Sequence, residues 1–248
     1  MVAAVKLQRH TGRRRAGRFL AEGPNLVEAA ARRGLVVEVF ATAAAAERHA
    51  ELLGGLTVHE VTERAAKALS ETVTPSGLVA VCTTPDGDLS DVLAGRPRLV
   101  VVAVDLSEPG NAGTLIRLAD AMGAAAVVFA GHSVDPYNGK CLRSSAGSIF
   151  AVPVMVAADT DDVVSGLREA GLQVLATTLD GEVSLDDAEL GGPTAWVFGG
   201  EAQGLSAQTA ALADRRVTIP MAGGAESLNV AAAAAICLYQ SARAHRRR

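Results

Sequence analysis

Three Gly-rich stretches of this chain gather the residue types that bind polar ligands and stabilise developing charge. The first is Asp105-Leu-Ser-Glu-Pro-Gly-Asn111-Ala-Gly113-Thr-Leu-Ile-Arg117. Asn111 suits the cap of a following helix, Gly113 permits a close neighbour, and Arg117 lies one to two helical turns further on. Alone, that set reads equally well as a helix cap with a surface arginine. The second stretch is Trp196-Val-Phe-Gly199-Gly200-Glu201-Ala-Gln-Gly204-Leu205-Ser206. Bare backbone at Gly199 and Gly200 can meet a flat or charged ligand, and a carboxylate just beyond them is costly unless it binds or orients something. The third is Ile219-Pro-Met221-Ala-Gly-Gly-Ala-Glu-Ser227-Leu228-Asn229-Val230. Its loop presents free amides, and Ser227 and Asn229 add donors and acceptors beside a helix start.

Several familiar chemistries are excluded. No two glycines are spaced as Gly-x-Gly, which removes the dinucleotide fingerprint, and no Gly-x-x-x-x-Gly-Lys-Ser/Thr loop is present. No Gly-x-Ser-x-Gly elbow occurs, against an α/β-hydrolase. His49 and His59 are ten apart, and Cys82, Cys141 and Cys237 form no Cys-x-x-Cys pair. Neither a zinc site nor a disulfide framework is expected, and the cysteines read as small buried hydrophobes.

The elements that would carry these stretches can be read from periodicity. Leu99–Val104 is a continuous apolar run ending at Asp105, the pattern of a strand buried on both faces. Similar runs are 126–130, 150–156, 174–177, 195–198 and 217–219, mostly separated by helical segments. This predicts an open, parallel α/β sheet that binds ligand at the C-terminal ends of its strands. Upstream, helices at 26–31, through Leu53 and at 64–70 alternate with strands at 35–40, 57–61 and 78–82. Breaker clusters at Thr84–Asp88 and Gly95–Pro97 divide the chain into residues 1–90 and 96–248. The closing helix, 231–243, has an alanine face that suits core packing or a subunit contact.

The length of 248 residues, 49% of them hydrophobic, is ample for a core. No apolar run reaches the ~18 residues of a membrane span, and the basic start lacks a signal peptide's apolar core; a soluble, cytoplasmic protein is expected. The net charge of −4 hides an uneven distribution. Residues 1–33 hold eight Lys/Arg, among them Arg9, Arg13, Arg14, Arg15 and Arg18, against Glu22 and Glu28. Arg243, Arg246, Arg247 and Arg248 crowd the end. Such ends can meet a polyanion despite the acidic total, since attraction is set within a Debye length of ~8–10 Å, although a solvated tail would look the same.

Together the three stretches resemble the motifs of the SpoU-type (TrmH-like) RNA 2′-O-ribose methyltransferases of the SPOUT superfamily: Asn-x-Gly-x-x-x-Arg (Asn111, Gly113, Arg117), Gly-x-Glu-x-x-Gly-Leu (Gly199, Glu201, Gly204, Leu205), and Ile-Pro-Met through Ser-Leu-Asn-Val (Ile219 to Val230). Ala231 stands where many members carry Ser. The stretch Arg13–Val27 is similar to the start of the ribosomal RNA branch, where a basic arm and a small α/β domain grip the substrate.

The resemblance implies a trefoil-knotted methyltransferase domain preceded by a small α/β RNA-binding domain, a homodimer through the last helix, and S-adenosylmethionine as cofactor with no metal. It implies catalytic roles for Arg117, Asn111, Glu201, Ser227 and Asn229. Thr177, Gly199, Gly200, Glu201, Gly204, Ile219, Met221, Ser227, Leu228 and Asn229 would hold the cofactor, and Arg9, Arg13, Arg14, Arg15 and Arg18 would hold RNA. The expected substrate is the ribose 2′-hydroxyl of 23S ribosomal RNA. A transfer RNA 2′-O-methyltransferase, a base methyltransferase of the superfamily and a non-catalytic RNA-binding member are the alternatives.

Overall fold

The computed structural model describes residues 1–85, 87–201 and 203–246. Arg247 and Arg248 of the C-terminal cluster, Asp86 of the first breaker cluster and Ala202 of the second Gly-rich stretch lie outside the described residues. The expected basic arm is folded. It forms α1 (Val2–Val5), a 3-10 turn (Lys6–Gln8) and α2 (His10–Ala16), with Ala4 and Leu7 buried against Phe40, Leu69 and Val79.

A four-stranded sheet follows, made of β1 (Arg18–Glu22), β2 (Val36–Ala41), β3 (Val58–Glu60) and β4 (Leu78–Thr83) in the order β1-β4-β2-β3. β1 and β2 run antiparallel to β4, and β3 parallel to β2. Between the strands lie α3 (Pro24–Arg32), α4 (Ala43–Arg48), α5 (Ala50–Leu53) and α6 (Glu63–Leu69). Pro24 opens α3, where its missing N–H forfeits no helix bond. Thr42 and Thr62 cap α4 and α6, each hydroxyl accepting from the backbone N–H three residues on. The helix expected to run through Leu53 is interrupted at His49, whose backbone leaves the helical region.

After α7 (Leu89–Ala94) the chain builds a seven-stranded sheet. Its strands are β5 (Leu99–Val104), β6 (Ala126–Ala130), β7 (Val154–Ala157), β8 (Gln173–Thr177), β9 (Val183–Ser184), β10 (Thr194–Gly199) and β11 (Arg215–Thr218). All pairings are parallel, in the order β7-β6-β5-β10-β8-β11-β9. Every residue of β5 and β6 is buried, which explains their unbroken apolar runs. Covering helices are α8 (Pro109–Ala121), α9 (Gly139–Ser145), α10 (Thr160–Glu169), α11 (Ala207–Ala211) and α12 (Val230–Arg246). The strand expected at 150–156 is shorter. Residues 148–150 form a 3-10 turn, and Pro153, which has no N–H to donate, precedes β7 while its carbonyl accepts from Val127.

The two sheets share one hydrophobic core. The Phe19 ring of β1 lies 4.8 Å from Tyr137 and 6.1 Å from Phe150, centroid to centroid. α12 returns across β10 to α8, and Trp196 Nε1 of β10 donates to Ser241 Oγ of α12 at 2.8 Å, both side chains fully buried. Cys82, Cys141 and Cys237 are free and buried, and burial pushes each thiol up to about 12. Among the described residues no helix is long and apolar enough to cross a membrane.

Candidate active site

The C-terminal ends of β5, β8, β10 and β11 open on one region. At the end of β5, Asp105 adopts a left-handed backbone (φ +54), steadied by the His132 N–H donating to its Oδ1 at 2.8 Å. This bend delivers Leu106 and Ser107 to the start of α8. The sequence suggested Asn111 as that helix's cap, but Glu108 is the cap. Its carboxylate accepts from the Gly110 N–H at 3.2 Å, and Pro109 is the first helical residue. Asn111 therefore lies inside the first turn, with its side chain available for longer-range bonds.

Those bonds form a relay. Asn111 Nδ2 donates to Glu201 Oε1 at 2.7 Å, and Asn229 Nδ2 donates to Asn111 Oδ1 at 3.2 Å. Asn229 Oδ1 in turn accepts from the Ala231 N–H at 2.9 Å, capping α12. On the far side, the Ser107 N–H and Oγ donate to Glu201 Oε2 at 3.4 and 3.3 Å. Asn111 of the first Gly-rich stretch thus joins one residue from each of the other two. Burial pushes the Glu201 carboxyl up, but bonds from Asn111, its own backbone N–H and Ser107 outweigh it and hold the group below its ordinary value. The carboxylate stays ionised and fixes the Asn111 amide by accepting from its N–H side.

The glycines also serve the packing of the loop itself. A Cβ at Gly199 would overlap the backbone of Gly204 and Leu205, and one at Gly200 the Asp105 carbonyl. Their freedom from side chains lets the loop fold onto β5 and itself, closed by a Gly200–Gly204 bridge. Gly113 serves α8 likewise, because a Cβ there would overlap the Cys141 carbonyl of α9.

Beside the relay lies an open cavity of about 650 Å³. Thr177, Gly199, Gly200, Glu201, Gly204, Ile219, Met221, Ser227 and Leu228 are among the residues that line it. Asn229 sits in the relay rather than among the lining residues. Arg117 is exposed on α8, six residues beyond Asn111, and among the described residues its side chain makes no hydrogen bond or ion pair. Residues 220–229 are all exposed, and the backbone of residues 219–228 makes no hydrogen bond among the described residues. Thr178 Oγ1 is buried without a partner among the described residues. Sequence reasoning missed Ser107, Thr178, Asp180 and Arg216, the last three lining the cavity. Thr178 and Asp180 directly follow β8, so the same attention to strand ends would have found them.

Of the five arginines expected to meet RNA, Arg9, Arg14, Arg15 and Arg18 are exposed. Arg13 is a correction. Its side chain is 6% exposed, its Nε pairs with Asp135 Oδ2 at 2.6 Å, and its Nη1 donates to the Leu7 and Gln8 carbonyls at 3.0 and 2.9 Å. It binds α2 to the loop before α9, and its burial keeps it from presenting a guanidinium to a phosphate.

Residues 98–239 match the model of the SpoU rRNA Methylase family, and residues 3–80 that of an MRM3-like substrate binding domain. The chain is 36% identical over 234 residues, 94% of its length and 92% of the relative's, to the 23S rRNA (guanosine(2553)-2′-O)-methyltransferase RlmP of Bacillus subtilis. An AdoMet-bound rRNA methyltransferase from Sinorhizobium meliloti superposes with a TM-score of 0.87 at 31% identity, covering 98% of this chain and 93% of that one. The SpoU methyltransferase AviRb of Streptomyces viridochromogenes, in complex with AdoMet, gives 0.87 at 33% identity, over 97% of this chain and 95% of that one.

Proposed function

This chain belongs to the SpoU rRNA methylase family, and on that premise we propose that it methylates a ribose 2′-hydroxyl of 23S ribosomal RNA with S-adenosylmethionine as donor. The observation that carries this reading is the Asn229–Asn111–Glu201 relay at the edge of the strand-end cavity. The cavity suits the cofactor. Its volume falls within the ~300–1,000 Å³ of small-molecule sites, and residues 219–228 offer unbonded backbone groups to an adenosyl ligand.

When bound, the cofactor supplies a methyl group already activated by a sulfonium, so no metal is required. What remains for the protein is to orient the ribose and ease removal of the 2′-hydroxyl proton. Arg117 is the residue for this, yet a guanidinium with pKa above ~12 is a poor base. Its role is electrostatic: it lowers the hydroxyl's pKa and holds the neighbouring phosphate, the kind of preorganised stabilisation that dominates many rate enhancements. Glu201 and Asn229 fix Asn111 through its amide nitrogen and oxygen, and Asn111 and Ser227 orient the ribose. Thr177, Gly199, Ile219, Met221 and Leu228 enclose the cofactor.

Residues 1–90 act as the RNA-gripping unit, and residues 96–248 as the methyltransferase unit. A trefoil knot fits the path of the chain, since β11 lies beyond β8 while α12 comes back over β10 and α8. A homodimer would cover the outer stripe of α12, where Ile236 and Tyr239 stand 39% and 50% exposed. The enzyme works in the cytoplasm, where its substrate is made. Mapping 2′-O-methyl groups on ribosomal RNA from cells with and without the protein tests the proposal. One site should disappear on deletion and return with the wild-type protein; an unchanged map would overturn it.

A further inference from the structure

Beyond β8 the chain turns through Thr178, Leu179, Asp180 and Gly181 along the rim of the cavity. Gly181 makes the course possible, because a Cβ there would overlap the backbone of Val217 and Thr218. The Thr178 N–H donates to the Val217 carbonyl, and Thr218 Oγ1 donates to the Leu179 carbonyl at 3.2 Å. The rim is thereby laid on β11, which brings Asp180 beside Arg216. Glu182 grips the other edge of that arginine: its Oε2 takes Nε at 2.9 Å, and its Oε1 takes the Arg216 backbone N–H at 3.0 Å. The Nη1 side is left toward Asp180 Oδ2, at a long 3.3 Å.

Among the described residues lining the cavity, the charged side chains are Asp180, Glu201 and Arg216. Glu201 is committed to Asn111 and Ser107. Asp180 and Arg216 therefore present an anion and a cation side by side, with side chains 79% and 40% exposed, at a cavity whose other described lining side chains, apart from Glu201, are uncharged. An exposed pair of this kind contributes little to stability. Its charges match a zwitterion.

We propose that Asp180 and Arg216 receive the α-amino acid end of the cofactor, the Asp180 carboxylate taking the ammonium and the Arg216 guanidinium the carboxylate. Glu182, which is outside the cavity lining, positions Arg216 for this. The inference rests on the cofactor reading above and adds to it the residues that select for the amino acid end.

Calorimetric titration of the full chain with two ligands tests it: S-adenosylhomocysteine, which carries that end, and 5′-methylthioadenosine, which lacks it. Asp180→Asn and Arg216→Gln should each weaken S-adenosylhomocysteine by about fivefold, the scale of one solvent-exposed charge pair, while 5′-methylthioadenosine stays within about twofold of its wild-type affinity on the same reasoning. Arg216→Gln also releases Glu182, so Asp180→Asn, at the more exposed position, guards against a general loosening of the rim. Equal weakening of both ligands would overturn the proposal in favour of a purely structural rim, and so would no change in either. If the wild type binds neither ligand, the cofactor reading itself falls and the proposal with it.

Discussion

The basic N-terminus offers a separation of roles that salt can resolve. Arg9, Arg14, Arg15 and Arg18 are exposed, whereas Arg13 is buried in an ion pair with Asp135 and donates to two carbonyls. Each phosphate contact on RNA contributes about 0.7–0.9 to the slope of log K against log salt. Changing the four exposed arginines together to Gln should flatten the slope by about 3 units if each makes one such contact. Arg13→Met should leave the slope alone and act on stability instead. It strands the Asp135 carboxylate, only 14% exposed, and takes the donor from two backbone carbonyls. Breaking a buried pair from one side costs about 3–5 kcal/mol, and Asp135→Asn in the same background should recover part of that. Filter binding on one ribosomal RNA fragment from low to moderate salt reads the slopes, and urea unfolding reads the stability. An Arg13→Met protein of unaltered urea midpoint but flattened slope would refute the assignment, and so would a quadruple variant of unaltered slope.

Three further expectations follow from the same geometry. Arg117→Ala should abolish methyl transfer while cofactor affinity, read by calorimetry, stays within about threefold, because Arg117 is not among the cavity-lining residues; near-full turnover would remove its electrostatic role. Ser241→Ala should leave the buried Trp196 N–H without its acceptor and lower stability by about 1–3 kcal/mol, seen as an earlier unfolding midpoint by tryptophan fluorescence. Glu201 has a folded pKa held below its ordinary 4.5, so its stabilising contribution is present above that value and lost as pH falls through the depressed one. The stability difference between wild type and Glu201→Gln should therefore shrink on acidification below 4.5 and hold steady above it; a difference that grew in acid would reverse the sign.

Much of the architecture was legible because burial leaves a mark on composition. β5 and β10 are enclosed on both faces and show it as unbroken apolar runs. β1 went unread because its inward residues, Phe19 and Ala21, alternate with Arg18, Leu20 and Glu22 on a strand only five residues long. The seat of Asn111 was misjudged by one turn. Pro109 starts the helix and Glu108 caps it, so the asparagine is released to a partner 90 residues away that no local pattern announces. Arg13 was hidden for the same reason: within a run of arginines nothing distinguishes the one whose carboxylate waits 122 residues downstream. The paired glycines were placed at the cavity, but their second role, close approach to the backbone of Asp105, Gly204 and Leu205, has no mark in the sequence.

The relay also constrains when the protein can become competent during its own synthesis. Asn111 and Asn229 stand 118 residues apart, and β10 enters the sheet between β5 and β8 only after both exist. Contacts of such sequence separation carry a large loop-closure entropy and form late, which makes for slow folding. α12 supplies the final member of the relay, so a nascent chain still lacking it cannot assemble the site. On the proposed reading, methyl transfer must wait until translation has carried α12 clear of the ribosome.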